Sequence, residues 1–200
     1  MNADESIAAY INGGSDAVEG WFHRLDMLLF WILDSVQKAN GITGDLCEVG
    51  VWKGKSLVLL AMLARDDESV FGVDSYPDDV LSHAKATLAT HVKSSGRVQH
   101  IRTDTATLTA ERLRREFSRK LRFLHIDAGH EYHEVMHSLL LFVPFLAADG
   151  VLVMDDYHDH EYPGVAAATL NFFLCWQTPA TGRALPRRSQ QNVPQRTCDG

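Results

Sequence analysis

Five short apolar runs alternate along this chain with stretches of helical spacing, and that alternation is its strongest constraint. The runs are DLCEVGV (45–51), SVFGVDSY (69–76), RVQHIRTD (97–104), LRFLHID (121–127) and GVLVMDD (150–156). Between and after them lie KSLVLLAMLARD (55–66), DDVLSHAKATLATHVKSS (78–95), TAERLRREFSRK (109–120), HEVMHSLLLFVPFL (133–146) and GVAAATLNFFLCW (164–176). Strands separated by helices pair in parallel, and their helices cover both sheet faces. Strands covered on both faces read as continuous apolar runs rather than alternating ones, as these do. The expected fold class is α/β, a doubly wound and mostly parallel sheet. In such sheets a ligand lies beyond the carboxyl ends of the strands. Those ends carry Glu48 to Gly54, Asp74 to Tyr76, Thr103 and Asp104, Asp127 to His130, and Asp155 to His158.

Ahead of the first strand, Trp21, Leu25, Leu28, Leu29 and Ile32 recur at helical spacing, with Phe30 and Trp31 widening the apolar face. This predicts one amphipathic helix over 20–39, buried on two sides or paired with another subunit. Residues 1–40 read as a helical lid or oligomerisation segment and 41–176 as the ligand-binding domain. Residues 177–200 hold three of the six prolines and four arginines, with no aromatic, and read as an irregular or disordered tail.

The balance of 26 acidic against 19 basic residues, a net −7, leaves no electrostatic footprint for a nucleic-acid backbone. Cys47, Cys175 and Cys198 are too few and too scattered for a disulfide framework, and read as reduced thiols of a cytoplasmic protein. The acidic N-terminus is no signal peptide, and MLLFWIL (27–33) is too short to span a bilayer, so no membrane partner is expected.

The first strand leads into Glu48-Val-Gly50-Val-Trp52-Lys-Gly54-Lys-Ser56. Glycines let the backbone turn tightly and approach a ligand closely. The spacing is neither GxGxxG nor a P-loop, which disfavours a pyrophosphate. Asp74 ends the second strand about twenty residues on, where an acid can take two ribose hydroxyls. Asp104 ends the third, where it can accept from an adenine amino group. The set suits a nucleoside without phosphates.

These motifs, with IDAGHEY and GVLVMDDY, resemble the class I S-adenosylmethionine-dependent methyltransferases with their Rossmann-like sheet. Within that class they resemble the macrocin-like small-molecule O-methyltransferases and, more distantly, the metal-dependent catechol type. The resemblance spans residues 44–174. It implies that Glu48, Gly50 and Gly54 line the methionine part of the cofactor, that Asp74 holds the ribose, and that Thr103 and Asp104 sit at the adenine. Trp52, Ser56, Ser75, Tyr76 and Asp127 are the remaining expected cofactor contacts. The family continues into a C-terminal β-hairpin. After Trp176 there is no apolar alternation, and prolines lie where those strands belong. The outer side of the fifth strand then needs cover, and a homo-oligomer is one way to supply it.

Asp127, Asp155 and Asp156 stand at neighbouring strand ends. Clustered carboxylates repel unless a cation lies among them, and an all-oxygen set suits Mg2+, Mn2+ or Ca2+ rather than zinc. In the resembling metal-dependent enzymes the ion sits there, where it would chelate a substrate hydroxyl pair. His130, three residues after Asp127, is the candidate general base, since an imidazole titrates near neutrality. The expected activity is therefore methylation of a hydroxyl on a small natural product: a sugar, a macrolide or an aromatic diol.

One motif competes. His133-Glu134-Val-Met-His137 is a literal HExxH, which on a zinc hydrolase helix supplies two ligands and a base. No third ligand follows at metzincin spacing, and the helix leads straight into a strand. His133 and His137 are expected to flank a buried stripe of Met136, Leu139, Leu140 and Val143. A non-catalytic protein of the same fold is the third reading.

Overall fold

The computed structural model describes residues 2–92 and 95–176. The expected irregular tail, Cys198 and the question of a terminal hairpin lie outside the described residues. Five parallel strands form one sheet in the order β3-β2-β1-β4-β5. They are β1 (Asp45–Val49), β2 (Val70–Asp74), β3 (Val98–Arg102), β4 (Leu121–Ile126) and β5 (Leu146–Met154). Strand order reverses beside β1, so the turns after β1 and β4 open a crevice between them. The doubly wound α/β sheet is as expected. β5 starts earlier than its apolar run, with a register shift against β4 that carries Ala147–Asp149 past the ladder.

The helices are α1 (Ala3–Ile11), α2 (Arg24–Ala39), α3 (Lys55–Leu63), α4 (Asp78–His91), α5 (Ala110–Glu116), α6 (Tyr132–Phe142) and α7 (Pro163–Trp176). α1 to α4 cover one face of the sheet around Phe30, Leu57, Leu60 and Phe123. α5 to α7 cover the other around Phe71, Leu124, Leu139 and Phe142. α1 lacks an apolar run long enough to announce it. It is fixed by a capping box, in which Asn2 Oδ1 accepts from the Glu5 N–H and the Glu5 carboxylate accepts from the Asn2 N–H. Ile7, Tyr10 and Ile11 of α1 join the core of the sheet domain, so the N-terminal segment is built into it.

Two helix faces differ from expectation. α2 begins at Arg24 rather than at the expected 20, which leaves Trp21 ahead of it, and it buries Met27, Phe30, Asp34 and Gln37 while Leu25, Leu29 and Ile32 are exposed. The reason is a buried polar anchor. Arg122 of β4, wholly enclosed, pairs with Asp34 at 3.0 Å and Glu68 at 2.8 Å and donates to Gln37 Oε1 at 2.7 Å. Desolvating a guanidinium is tolerable only with such partners, and α2 is rotated to bring Asp34 and Gln37 under it. α6 buries Val135, Ser138, Leu139 and Phe142, whereas Leu140 is exposed. Its stripe is offset by one residue from the expected one. Among the described residues no helix is long and apolar enough to cross a membrane.

Candidate active site

After β1 the chain turns through Gly50 (φ 89°), Trp52 (φ 49°) and Gly54 (φ 87°) before α3 begins. Gly50 is obligatory there: a Cβ would stand 1.8 Å from the Asp127 carbonyl oxygen. The missing side chain lets the ends of β1 and β4 meet. Asp74 holds the turn from the neighbouring strand. Its Oδ2 accepts from the N–H groups of Val51 and Trp52 at 2.8 and 3.0 Å. Its Oδ1 accepts from the Tyr76 N–H at 2.8 Å and the Ser75 hydroxyl at 3.3 Å. A carboxylate has about four acceptor sites, and internal donors occupy them. Asp104 caps the turn after β3, its Oδ1 accepting from the Ala106 N–H at 2.8 Å.

Trp52, Tyr76 and Asp156 adopt positive φ, each just beyond a strand end. For aromatic residues this conformation is strained, and such outliers gather where surrounding structure holds a site in shape.

One cavity of about 840 Å³ runs along these strand ends. The turn after β1 gives it Gly50, Trp52 and Ser56; β2 gives Asp74 and Ser75; β3 gives Thr103 and Asp104. β4 gives Asp127 and His130, and β5 gives Asp155 and Asp156. Three expected cofactor contacts lie outside the lining. Gly54 is the N-cap of α3 and faces Ala84 of α4. Tyr76 is fully buried, its hydroxyl 2.9 Å from His100 Nδ1. Glu48 is also fully buried and sits beneath the floor, its Oε1 2.8 Å from His125 Nδ1, the residue registered opposite it on β4.

The reaction end is densely acidic. Burial, then Asp155 and Glu48, push the Asp127 carboxyl up to about 9. Asp156 is raised too, first by burial and then by Asp155, with His130 acting against the rise. His130 Nε2 lies 2.9 Å from Asp156 Oδ2, and its ring stacks on Tyr162 at 3.9 Å.

The carboxylates divide into two overlapping sets of potential ligand atoms, each within 4.8 Å: His125, Asp127 and Asp155, and Asp127, His130 and Asp156. The expected trio is thus split, with a histidine completing each part. Glu48 Oε2 beside them is buried without a hydrogen-bond partner. Crowded carboxylates held above their usual range and a stranded buried oxygen fit a divalent cation at this end. His125 escaped notice in the sequence because it lies within an apolar run. Its spacing of two from Asp127, which places both on one sheet face, was the available signal.

The N-terminal segment, expected as a lid or an oligomerisation element, adds a wall to the cavity. Glu19, Trp21, Phe22 and His23 ahead of α2 and Asp26 in its first turn line the cavity together with the strand ends. Phe22 and Phe30 pack on the His125 ring at 6.3 and 5.0 Å.

The HExxH residues form no such group. His137 Nε2 lies 3.0 Å from the Thr105 carbonyl, and Glu134 belongs to the capping box of α6. His133 and His137 are absent from every potential metal set among the described residues. The zinc hydrolase reading is not favoured.

A family model described as a methyltransferase domain matches residues 47–157. The chain belongs to this methyltransferase family. No curated protein matches it. Solved structures share the fold. NovP, an O-methyltransferase, superposes with a TM-score of 0.70 at 15% identity, over 88% of this chain and 93% of NovP. CalS11, a calicheamicin methyltransferase, gives 0.61 at 14%, over 84% of this chain and 83% of its own. TomG from Streptomyces achromogenes, an O-methyltransferase of tomaymycin synthesis solved with S-adenosylmethionine, gives 0.58 at 14%, over 86% and 77%. This methyltransferase is an S-adenosylmethionine-dependent enzyme with a Rossmann-like sheet, and its matched segment runs from the first strand to the loop after β5.

Proposed function

We propose that this methyltransferase transfers a methyl group from S-adenosylmethionine to a hydroxyl of a small natural product, with a divalent cation assisting. The observation that carries the reading is that the glycine turn and the carboxylate–histidine cluster share one cavity. When bound, the cofactor supplies an electrophilic methyl group and the cation lowers the pKa of a coordinated hydroxyl. Gly50, which lets the end of β1 close on that of β4, would line the methionine portion with the turn it begins, and Thr103 and Asp104 would line the adenine. Asp74, filled by internal donors, acts mainly by fixing the turn. Asp127 with Asp155 and His125, or with Asp156 and His130, would hold the cation. With the cation held by Asp127, Asp155 and His125, His130 is left to donate Nε2–H to Asp156 and to receive the hydroxyl proton on Nδ1. Stacking on Tyr162 fixes that ring. A sugar, a macrolide and an aromatic diol all meet these requirements.

A cytoplasmic setting fits the buried thiol of Cys47. A homo-oligomer fits the apolar outer face of α2 and the outer edge of β5, which has no pairing strand among the described residues.

The test is calorimetric titration with S-adenosylhomocysteine, with and without Mg2+, on protein assayed for zinc. Micromolar binding without bound zinc is expected. An Asp155→Asn variant is expected to keep that binding within about twofold while losing any stimulation of turnover by Mg2+, because the cation is held apart from the nucleoside. A variant retaining full Mg2+ stimulation removes Asp155 from the cation site.

A further inference from the structure

Beneath the cavity floor lies a buried pair that the glycine turn does not use. Glu48 and His125 stand opposite each other on β1 and β4, and both are buried. Glu48 Oε1 accepts from His125 Nδ1 at 2.8 Å, which leaves the lone pair on Nε2 free to ligate. Among the described residues no hydrogen bond occupies that second nitrogen. Phe22 and Phe30 pack on the ring at 6.3 and 5.0 Å and shield it from water. Histidines that bind metals nearly always donate their other N–H to a carboxylate, which fixes the ring and raises its basicity. The Glu48–His125 pair is half of such an arrangement.

The other half stands beside it. One ring nitrogen of His125 lies within 4.8 Å of carboxylate oxygens of both Asp127 and Asp155, which are within that distance of each other. Ligands on opposite sides of one small cation stand about 4–5 Å apart, twice a bond of roughly 2.0–2.6 Å, so a single ion can reach all three. Glu48 Oε2 is a separate sign of that ion. It is buried without a hydrogen-bond partner, and among the described residues Glu48 has no lysine or arginine partner, only His125. A buried carboxylate in that state needs positive charge close by. Ligand type then decides which ion. Mg2+ and Ca2+ take oxygen ligands, and Mg2+ sheds its water reluctantly. Imidazole suits the first-row transition ions, and among them Mn2+ also accepts carboxylates and water. Two carboxylates, one imidazole and open positions for acceptor hydroxyls suit Mn2+ better than the closed tetrahedron of structural zinc.

We propose that Glu48, His125, Asp127 and Asp155 form a carboxylate–histidine–metal arrangement that selects Mn2+ over Mg2+ and Ca2+, with His125 as the ligand that sets the preference. This rests on the reading of cation assistance in the same cavity. Glu48 is a positioning residue: it touches neither the ion nor the acceptor and acts through the His125 ring. The acid that ends β1 beside the glycine turn thereby serves the cation. Phe22, ahead of α2, and Phe30, within it, shape the ion site by enclosing the ring.

The test is direct metal binding. Chelator-treated protein is titrated with Mn2+, read from the paramagnetic resonance of the free ion, with Mg2+ and Ca2+ as competitors. Mn2+ is expected to bind at least about tenfold tighter than either. Pulsed resonance of the bound Mn2+ should show nitrogen modulation from one imidazole, retained in His130→Gln and lost in His125→Gln. Glu48→Gln should weaken Mn2+ binding about tenfold or more and shrink the preference over Mg2+. Loss of a nearby charge alone would weaken both ions equally, so an intact preference overturns the role of Glu48. Binding of S-adenosylhomocysteine by each variant reports a folded cavity. Where His125→Gln loses it, the unaltered protein compared with His130→Gln decides alone, since His130 is the other histidine in a potential metal set among the described residues. Cation binding without nitrogen modulation, modulation lost in His130→Gln, or equal affinities for Mn2+ and Mg2+ overturns the proposal and leaves cation assistance standing. Absence of any cation binding overturns both, while the cofactor reading stands on S-adenosylhomocysteine.

Discussion

At the scale of single residues the site depends on groups that are absent or occupied. Gly50 contributes by lacking a Cβ, which would collide with the Asp127 carbonyl. Gly50→Ala is expected to force β1 and β4 apart and to abolish S-adenosylhomocysteine binding, with a loss of about 1–3 kcal/mol in stability from overpacking and backbone strain. Denaturant unfolding and calorimetry check both. Asp74 contributes by being filled. Asp74→Ala frees the N–H groups of Val51, Trp52 and Tyr76 at once. Cofactor affinity and thermal stability should therefore fall together. A variant that lost affinity at unchanged melting temperature would instead make Asp74 a direct ribose ligand. The residues visible from sequence were those exposed at strand ends, where an acid after an apolar run has no structural excuse. Glu48 shares that pattern but is enclosed, because His125 stands opposite it in the sheet. That pairing joins strands far apart in the chain, and no local spacing announces it.

At the scale of elements, α2 shows how a correct helix can carry the wrong inner face. Leu25, Leu29, Ile32 and Val36 form a regular apolar stripe, yet all are exposed. The inner face is selected by Asp34 and Gln37 through Arg122, a partner that hydropathy does not register. The two faces predict opposite outcomes. Phe30→Ala, which removes a ring packed 4.9 Å from Phe123, should cost about 3–5 kcal/mol. Ile32→Ala should stay within about 0.5 kcal/mol at protein concentrations where the chain is a monomer. Comparable losses at both positions would restore the stripe to the core. β1, β2 and β4, by contrast, were legible to within about two residues, because near-complete burial gives each a compact run with a sharp end, whereas β3 is partly exposed and β5 begins at Leu146, ahead of its apolar run.

At the scale of the whole molecule, chemistry and stability occupy opposite ends of the sheet. The strand ends carry crowded carboxylates, while the starting edge is fastened by Arg122 with Asp34 and Glu68. Burial would raise the Glu68 carboxyl, but Arg122, the Arg65 N–H and the Arg65 guanidinium outweigh it and hold it below its ordinary 4.5. A group whose folded pKa is depressed contributes stability above its unfolded value and loses it as pH falls through the folded one. Stability should thus fall as the solution is acidified below about 4.5. Glu68→Gln should cost about 3–5 kcal/mol near neutrality by leaving a buried guanidinium short of charge, and should flatten that acid limb. Urea unfolding across pH reads both effects.

The placement of Arg122 also bears on how the chain is made. Gln37 and Arg122, which hydrogen-bond through both side chain and backbone, are 85 residues apart. β1 sits between β2 and a β4 that begins only at Leu121. A ribosome therefore releases α1, α2, β1 and β2 well before the strand that closes the crevice and the cation that anchors α2. Until then the apolar flank of β1 and two buried-to-be acids face solvent. Sheets joined across such distances fold slowly and expose edges that aggregate. The natural hazard for this enzyme is its own nascent N-terminal half, and conditions that slow translation past Leu121 should reduce its soluble yield before they touch its activity.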